Sequence, residues 1–386
     1  MKVTLFNQIL QALPRNSFQI LVQARKSDKG NKGINSWTHL VSMLFCHFGQ
    51  AGSVRDISNG LRSLKGNNNH LGIEKVPCKS SISYINAHRK WELFQDYYFE
   101  LLDHFSQQVS FQRPKLRRIK RKVFIVDSTT ISVCLSLFDW AVFRKRKGGL
   151  KLHTVLDYDG CLPVYCHVSE AKKHDVKAAR MVEFPQGSVI LFDRAYVDYQ
   201  WMNNLDSRRI TFVTRSKKNM VYSTEKVHSK GTKKDRIILD STIRLSGFYA
   251  MENYPGPLRL VRFWDEEKQR EIEFITNNFS WTASTIADLY KERWNIETFF
   301  KNIKQRLRIK TFVGTSSNAV MIQVWTALIS YLILSFLKAK AKYGWNLSNL
   351  VTFLRLNLLV KIDLWLWLND PFYTNGPPNE KQLELF

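Results

Sequence analysis

Asp127 and Asp193 each close an apolar run, Val-Phe-Ile-Val-Asp in the first case and Val-Ile-Leu-Phe-Asp in the second. A carboxylate at the end of a buried hydrophobic strand is costly unless a positive group meets it. One such Asp is commonly a helix or turn cap. Two of them, on strands able to lie side by side in one sheet, fit an oxygen-ligand site for Mg2+. A third acid stands far downstream in LYKERWNIETFFKNIK. With Tyr290 as origin and about 100° per residue along a helix, Arg293 falls at about −60°, Glu297 at about −20° and Lys304 at about −40°. Four functional side-chain types then share one narrow stripe. A solvated face with Glu–Lys pairing is the plain alternative, yet Glu297 and Lys304 are spaced wider than the three or four positions that pair best. A carboxylate flanked by cations suits a metal ion together with phosphates.

Such residues need a scaffold that brings distant stretches together. KVFIVDSTTISV, LKLHTVLDYDG and LPVYCHVSEA read as three strands, with a turn at Asp159-Gly160. HDVKAARMVEF reads as a short helix, its His174-Asp175 start as a cap, and SVILFDRAYV as a buried strand. This order predicts a mixed α/β sheet covered by helices. From about 210 to 277 the short runs RITFVTRS, RIILDSTIRLSG, LRLVRFWD and REIEFITN predict an all-β insertion. One long helix is expected over about 282 to 307, then apolar helices to about 368 and a loose tail. Upstream, residues 1 to about 110 read as helical: 36–48 with Ser36 as cap, 54–64, and one long amphipathic helix after the serines that follow Cys78. Short helices carrying Lys, Arg, Ser and Asn suit a DNA-binding module, and any helical domain equally.

Charge narrows the partner. Lys and Arg number 58 against 33 Asp and Glu, a formal +25. So large an excess repels itself until a polyanion neutralises it, which favours nucleic acid over the ribosomal and anionic-membrane alternatives. A hydrophobic share of 44% excludes a disordered chain. The basic run RPKLRRIKRK at 113–122 leads directly into the first strand. Arg144, Lys145, Arg146 and Lys147, followed by Gly148-Gly149, read as a phosphate-contacting loop.

Five scattered cysteines (Cys46, Cys78, Cys134, Cys161 and Cys166) point to reduced thiols, and a zinc site from Cys161 and Cys166 with His167 and His174 fits no common spacing. The N-terminus carries no export signal, so the expected compartment is the bacterial cytoplasm, with action at the nucleoid. Residues 319–337 run without a charge for the length of a membrane span. Gln323, Thr326 and Ser330 recur at helical spacing there, which predicts a buried core helix and no membrane partner.

Tyr290-x2-Arg293-x3-Glu297-x6-Lys304 resembles the Tyr-Arg-Glu-Lys signature of DDE-class bacterial insertion-sequence transposases, in the branch of insertion sequence four. FIVDSTTI resembles that family's first-Asp strand and LFDRAY its second, and the resemblance covers roughly residues 122–311. It implies a ribonuclease H-like α/β core interrupted by the β insertion. By that resemblance Asp127, Asp193 and Glu297 are the catalytic carboxylates and hold two Mg2+ or Mn2+ ions. Tyr290, Arg293 and Lys304 would contact phosphates, with Lys301 and Arg194 as further DNA contacts. The implied domains are a helical DNA-binding region over 1–112, core over 113–208, insertion over 209–278, the Glu helix over 279–312 and C-terminal helices over 313–386. The implied partners are transposon-end and target DNA, with two protomers bridging two ends. Some members stack an insertion Trp on a base flipped from a hairpin. REIEFITN has Ile272 and Glu273 at that place, and Trp264 lies slightly upstream. A non-catalytic DNA-binding descendant would have lost an acid or the cationic stripe, and a resolvase-like nuclease would share the core without joining strands.

Overall fold

The computed structural model describes residues 3–31, 33–64, 67–111, 119–133, 142–144, 147–170, 175–307, 309 and 312–372. The chain divides into two compact units. One comprises Met1–Ser110 with Asn302–Phe386, the other Phe111–Lys301.

The first unit is helical throughout its described residues. It holds α1 (Leu5–Gln11), α2 (Arg15–Ala24), α3 (Ser36–Phe48), α4 (Val54–Arg62), α5 (Lys79–His88) and α6 (Glu92–Ser106). The expected Ser36 cap is instead Asn35, whose side chain accepts from the Thr38 amide at 2.8 Å, while Ser36 hydrogen-bonds Asp28. The long helix expected after Cys78 is broken in two. Arg89 is extended (ψ 128) where helix α5 ends, because its buried guanidinium reaches back to Asp28 and the Ile34 carbonyl.

The second unit is built on ten strands: β1 (Val123–Val133), β2 (Val142–Arg144), β3 (Lys147–Asp157), β4 (Leu162–Glu170), β5 (Val189–Phe192), β6 (Thr211–Arg215), β7 (Tyr222–Lys230), β8 (Ile237–Leu245), β9 (Leu258–Asp265) and β10 (Arg270–Thr276). Its helices are α7 (Asp175–Ala179), α8 (Tyr199–Ser207), α9 (Phe248–Asn253), α10 (Ala283–Lys291) and α11 (Trp294–Lys301). One sheet runs β2-β3-β1-β5-β6-β10-β9-β8-β7, with β4 also on β3. β1, β5 and β6 are parallel, and β3 runs antiparallel to both β1 and β4. The stretch expected as an insertion thus continues the sheet from β6 through β10, and the short helix α9 makes it less than all-β. Buried Phe124, Val126, Ile190, Phe192 and Phe212 point to one face, where Trp201 and Met202 of α8 cover them. The alternate residues, Asp127 and Asp193 among them, therefore point to the other.

After Lys301 the chain returns to the helical unit through a π turn, Asn302–Arg306, then α12 (Ser317–Lys340), α13 (Leu347–Asn357) and α14 (Leu364–Asn369). Helix α12 has the length and hydropathy of a membrane span, but 89% of that window is buried against protein. Its polar stripe is consumed internally. Thr326 Oγ1 meets His47 Nε2 at 2.9 Å, and Gln323 Oε1 accepts from the Val313 amide. His47 is fully buried, with Nδ1 on the Leu307 carbonyl at 2.9 Å. Burial is the main cause pulling its pKa down to about 4, and burial likewise pulls His39 down to about 3.

A folded-state pKa below the unfolded value of about 6.5 means the unfolded chain binds more protons in acid. Stability is therefore full above about pH 6.5 and is lost as pH falls toward about 4, at up to about 1.4 kcal/mol per unit for each histidine. Thermal melts in this window should show a falling Tm, with a shallower fall in His47→Gln. An equal slope in the variant would remove His47 from the account.

Candidate active site

The parallel register sets the site. Val126 lies opposite Phe192, so Asp127 and Asp193 follow at the same level on adjacent strands, with backbones about 5 Å apart. Asp193 caps the turn Arg194–Tyr196, Oδ1 accepting from the Ala195 amide at 3.2 Å. Asp127 Oδ1 accepts from the Ser128 amide at 2.7 Å.

The third acid arrives with a cation between. Nη1 of Arg293 donates to Asp127 Oδ2 at 3.0 Å, and Nη2 donates to Glu297 Oε1 at 2.8 Å. Arg293 is 7% exposed, so one buried guanidinium ties strand β1 to helix α11. Burial pushes the Asp127 carboxyl up to about 6. Arg293 and the Ser128 amide oppose that rise, while Asp193 and Glu297 add to it by repulsion. Asp193 and Glu297 are thus both within electrostatic reach of Asp127. Among the described residues, no three His, Cys, Asp or Glu side chains form a ready cluster for a metal ion. The donors are all hard carboxylate oxygens, with Asp127 under repulsion from the other two, so a divalent cation fits the donor set by chemistry.

The expected long helix is not continuous. The amides of Glu292, Arg293, Asn295 and Ile296 each bond three residues back, separating α10 from α11, and the turn 302–306 is π-helical. Uniform 100° steps therefore do not hold across the stripe. The glutamate pairs with Arg293 at i,i+4, a spacing that favours pairing. Lys304 belongs to the helical unit. Lys301 ends α11, and Arg194 follows Asp193, both exposed. Arg144 and Lys147 pair across the β2–β3 hairpin, while Lys145 and Arg146 lie outside the described residues, as do His174, Cys134 and residues 112–118.

Tyr290 is buried, its ring 4.8 Å from that of Phe274, and its hydroxyl has no hydrogen-bond partner among the described residues. Burial pushes that hydroxyl up to about 12. It lines a groove of about 660 Å³ with Arg215, Arg293, Lys268, Trp264 and Trp294. Asp265, Glu266 and Glu267 line it too. Trp264 is half-buried on β9, paired with Glu271 of β10. Trp294 is 50% exposed, with Lys268 Nζ 4.5 Å from its ring centroid. Sequence reasoning passed over Trp294, although its place beside Arg293 was visible. Ile272 lines the groove, and Glu273 is tied to Arg262 at 2.8 Å.

Asp175 was read as a helix cap. It accepts instead from Ser128 Oγ at 2.5 Å and Lys151 Nζ at 3.2 Å, with His153 Nδ1 at 3.6 Å. This network anchors the strand on the face opposite Asp127, and no sequence spacing announces it. Cys161 and Cys166 are buried thiols, bonded to the Tyr158 carbonyl and Thr154.

The family model described as a transposase DDE domain matches residues 118–333, and a model described as a domain of unknown function matches residues 1–74. The y4zB protein of Sinorhizobium fredii, named as a transposase, is 30% identical over 67% of this chain and 71% of its own length. A protein of Geobacillus stearothermophilus named as a transposase for insertion sequence element IS5377 is 30% identical over 62% of this chain and 63% of its own. Among solved structures, a piggyBac transposase synaptic complex with hairpin DNA aligns over 92% of this chain and 78% of its own, at TM-score 0.42 and 11% identity. The matched domain covers more than half of the residues and contains Asp127, Asp193 and the Arg293–Glu297 pair: the chain belongs to the DDE-domain transposases of insertion sequences.

Proposed function

We propose that this transposase binds the inverted-repeat ends of its own element, cleaves phosphodiester bonds and joins the freed 3′ ends to target DNA at Asp127, Asp193 and Glu297. The observation that carries the reading is the buried Arg293 bridge, which draws a carboxylate of helix α11 to one on strand β1, 170 positions earlier by residue number. The strand order β4-β3-β1-β5-β6, parallel except at β3, supports a ribonuclease H-like core. The Tyr290–Lys304 signature supports the insertion-sequence-four-like branch. On this reading residues 1–112 hold DNA, 209–278 are the insertion into the core, and 313–386 are the C-terminal region. Two protomers bridge two ends in the cytoplasm.

Asp127, Asp193 and Glu297 would hold two Mg2+ or Mn2+ ions, which when bound supply charge neutralisation for both the attacking and the departing oxygen. The chain's own residues do the rest. In cleavage an O–P bond forms from water as the P–O3′ bond breaks; the water gives up a proton to solvent and the departing O3′ takes one from it, leaving a 3′-hydroxyl. In joining, the freed 3′-hydroxyl replaces water. Arg293 offers a bidentate fork to phosphate, Lys301, Lys304 and Arg194 offer point or fork charges, and Tyr290 offers an unsatisfied hydroxyl. The groove beside them combines Trp rings with cations, which suits a base and its phosphate.

A labelled duplex carrying the repeats that flank the reading frame is the substrate for the test. Loss of one ligand carboxylate removes several kcal/mol, so Asp193→Asn should cut at least about a thousandfold more slowly. Undiminished cutting would refute the site. Chelation with EDTA should stop cleavage, and added Mg2+ or Mn2+ should restore it. Nicking without a joined product would make the protein a nuclease instead. Trp294→Ala should weaken binding of the same duplex by about fivefold or more, the worth of one stacked base, with cleavage chemistry retained at saturating DNA. Unchanged affinity would take the groove out of DNA binding.

A further inference from the structure

We infer that Arg293 is an internal stand-in for a cation, so that the Asp127–Glu297 pair opens to a divalent ion only when a DNA phosphate draws the guanidinium away. This deepens the catalytic reading above and rests on it. Both terminal nitrogens of Arg293 are committed to the two carboxylates, at 3.0 and 2.8 Å. The oxygens they engage, Asp127 Oδ2 and Glu297 Oε1, are ones an ion between those side chains would need. A guanidinium and a divalent cation repel each other strongly at such range in a buried setting, so the two occupy the position in turn. Arg293 cannot simply retreat into the protein, because a buried unpaired charge costs several kcal/mol.

The groove supplies the alternative anchor. Arg293 already lines it beside Arg215, Lys268 and Lys291, and a phosphodiester is the anion that this cationic rim would take up. Nε of Arg293 has no hydrogen-bond partner among the described residues, which leaves a donor ready for a second acceptor. The ring of Tyr290, 5.7 Å from the guanidinium carbon, and that of Trp294, at 5.8 Å, flank the side chain. Metal and DNA binding are then positively coupled, and each must raise the other's affinity by the same factor. The protein holds its cutting site closed to metal until DNA is present.

The test measures Mn2+ binding to the DNA-free full-length chain by electron paramagnetic resonance, with circular dichroism melts to confirm folding. Arg293→Gln should bind Mn2+ at least about tenfold more tightly than wild type, within the usual span of coupling between sites. Arg293→Lys keeps a charge but cannot bridge both carboxylates, so its affinity should fall between the two. It also serves if the glutamine variant does not fold. Duplex affinity by fluorescence anisotropy should rise about tenfold with Mn2+ in wild type and stay nearly flat in Arg293→Gln. Mn2+ affinity equal in wild type and both variants overturns the proposal while leaving the three-carboxylate site standing. If adding Asp127→Asn to Arg293→Gln fails to abolish the gain, the ion binds elsewhere and both readings fall together.

Discussion

A carboxylate largely buried within a strand, just after its apolar half, must be matched by positive charge, and the rest of this sheet unit is arranged around that requirement. Asp127 sits beyond Ile125 and Val126, both nearly inaccessible, with Asp193 at the same level on the neighbouring strand. Two like charges at that separation raise each other's cost. The solution is a buried arginine delivered by a helix more than 160 positions away by residue number, which neutralises Asp127 and carries Glu297 in with it. Removing either partner of such a pair costs far more than the pair contributes, so the contact acts as a constraint on where α11 can lie rather than as a source of stability.

The sheet supplies rigidity on both sides of that contact. Ser128, one residue on, faces the other way and is held by Asp175, so the middle of β1 is fixed from both faces at successive positions. Strands β10 and β9 extend the same sheet past β6 and bring the β9–β10 hairpin with Trp264 and Lys268 to the groove that Tyr290, Arg293 and Trp294 line. Residues 209–278 are therefore structurally continuous with the strands that carry the aspartates, and their cationic and aromatic side chains share a groove with Arg293, which holds Asp127 and Glu297.

Much of this was legible in the residues. Apolar runs ending in Asp127 and Asp193 became β1 and β5 because strands buried on both faces read as continuous hydrophobic stretches. The uncharged run inside α12 declared its polar stripe, and Thr326 and Gln323 use it. What escaped had physical reasons. Strand β7 (YSTEKVHSK) is exposed along nearly its whole length, so no apolar alternation marks it. Helices α5 and α6 were fused because the break comes from the buried Arg89 reaching a distant loop, a tertiary contact that periodicity cannot register. The Asp175 network joins residues from β1, β3 and α7, and only the fold makes them neighbours.

The break between α10 and α11 shows how a departure from regular helix serves the site. In a run of three-residue hydrogen bonds the chain turns about 120° per residue, and side chains three apart eclipse one another. Over Tyr290 to Arg293 this lays the guanidinium against the tyrosine ring, where it is found, instead of about 60° to one side. Glu297, four residues on, falls within reach of the same guanidinium. At this tight turn one arginine lines the groove and meets both Asp127 and Glu297, and a uniform helical wheel conceals the turn.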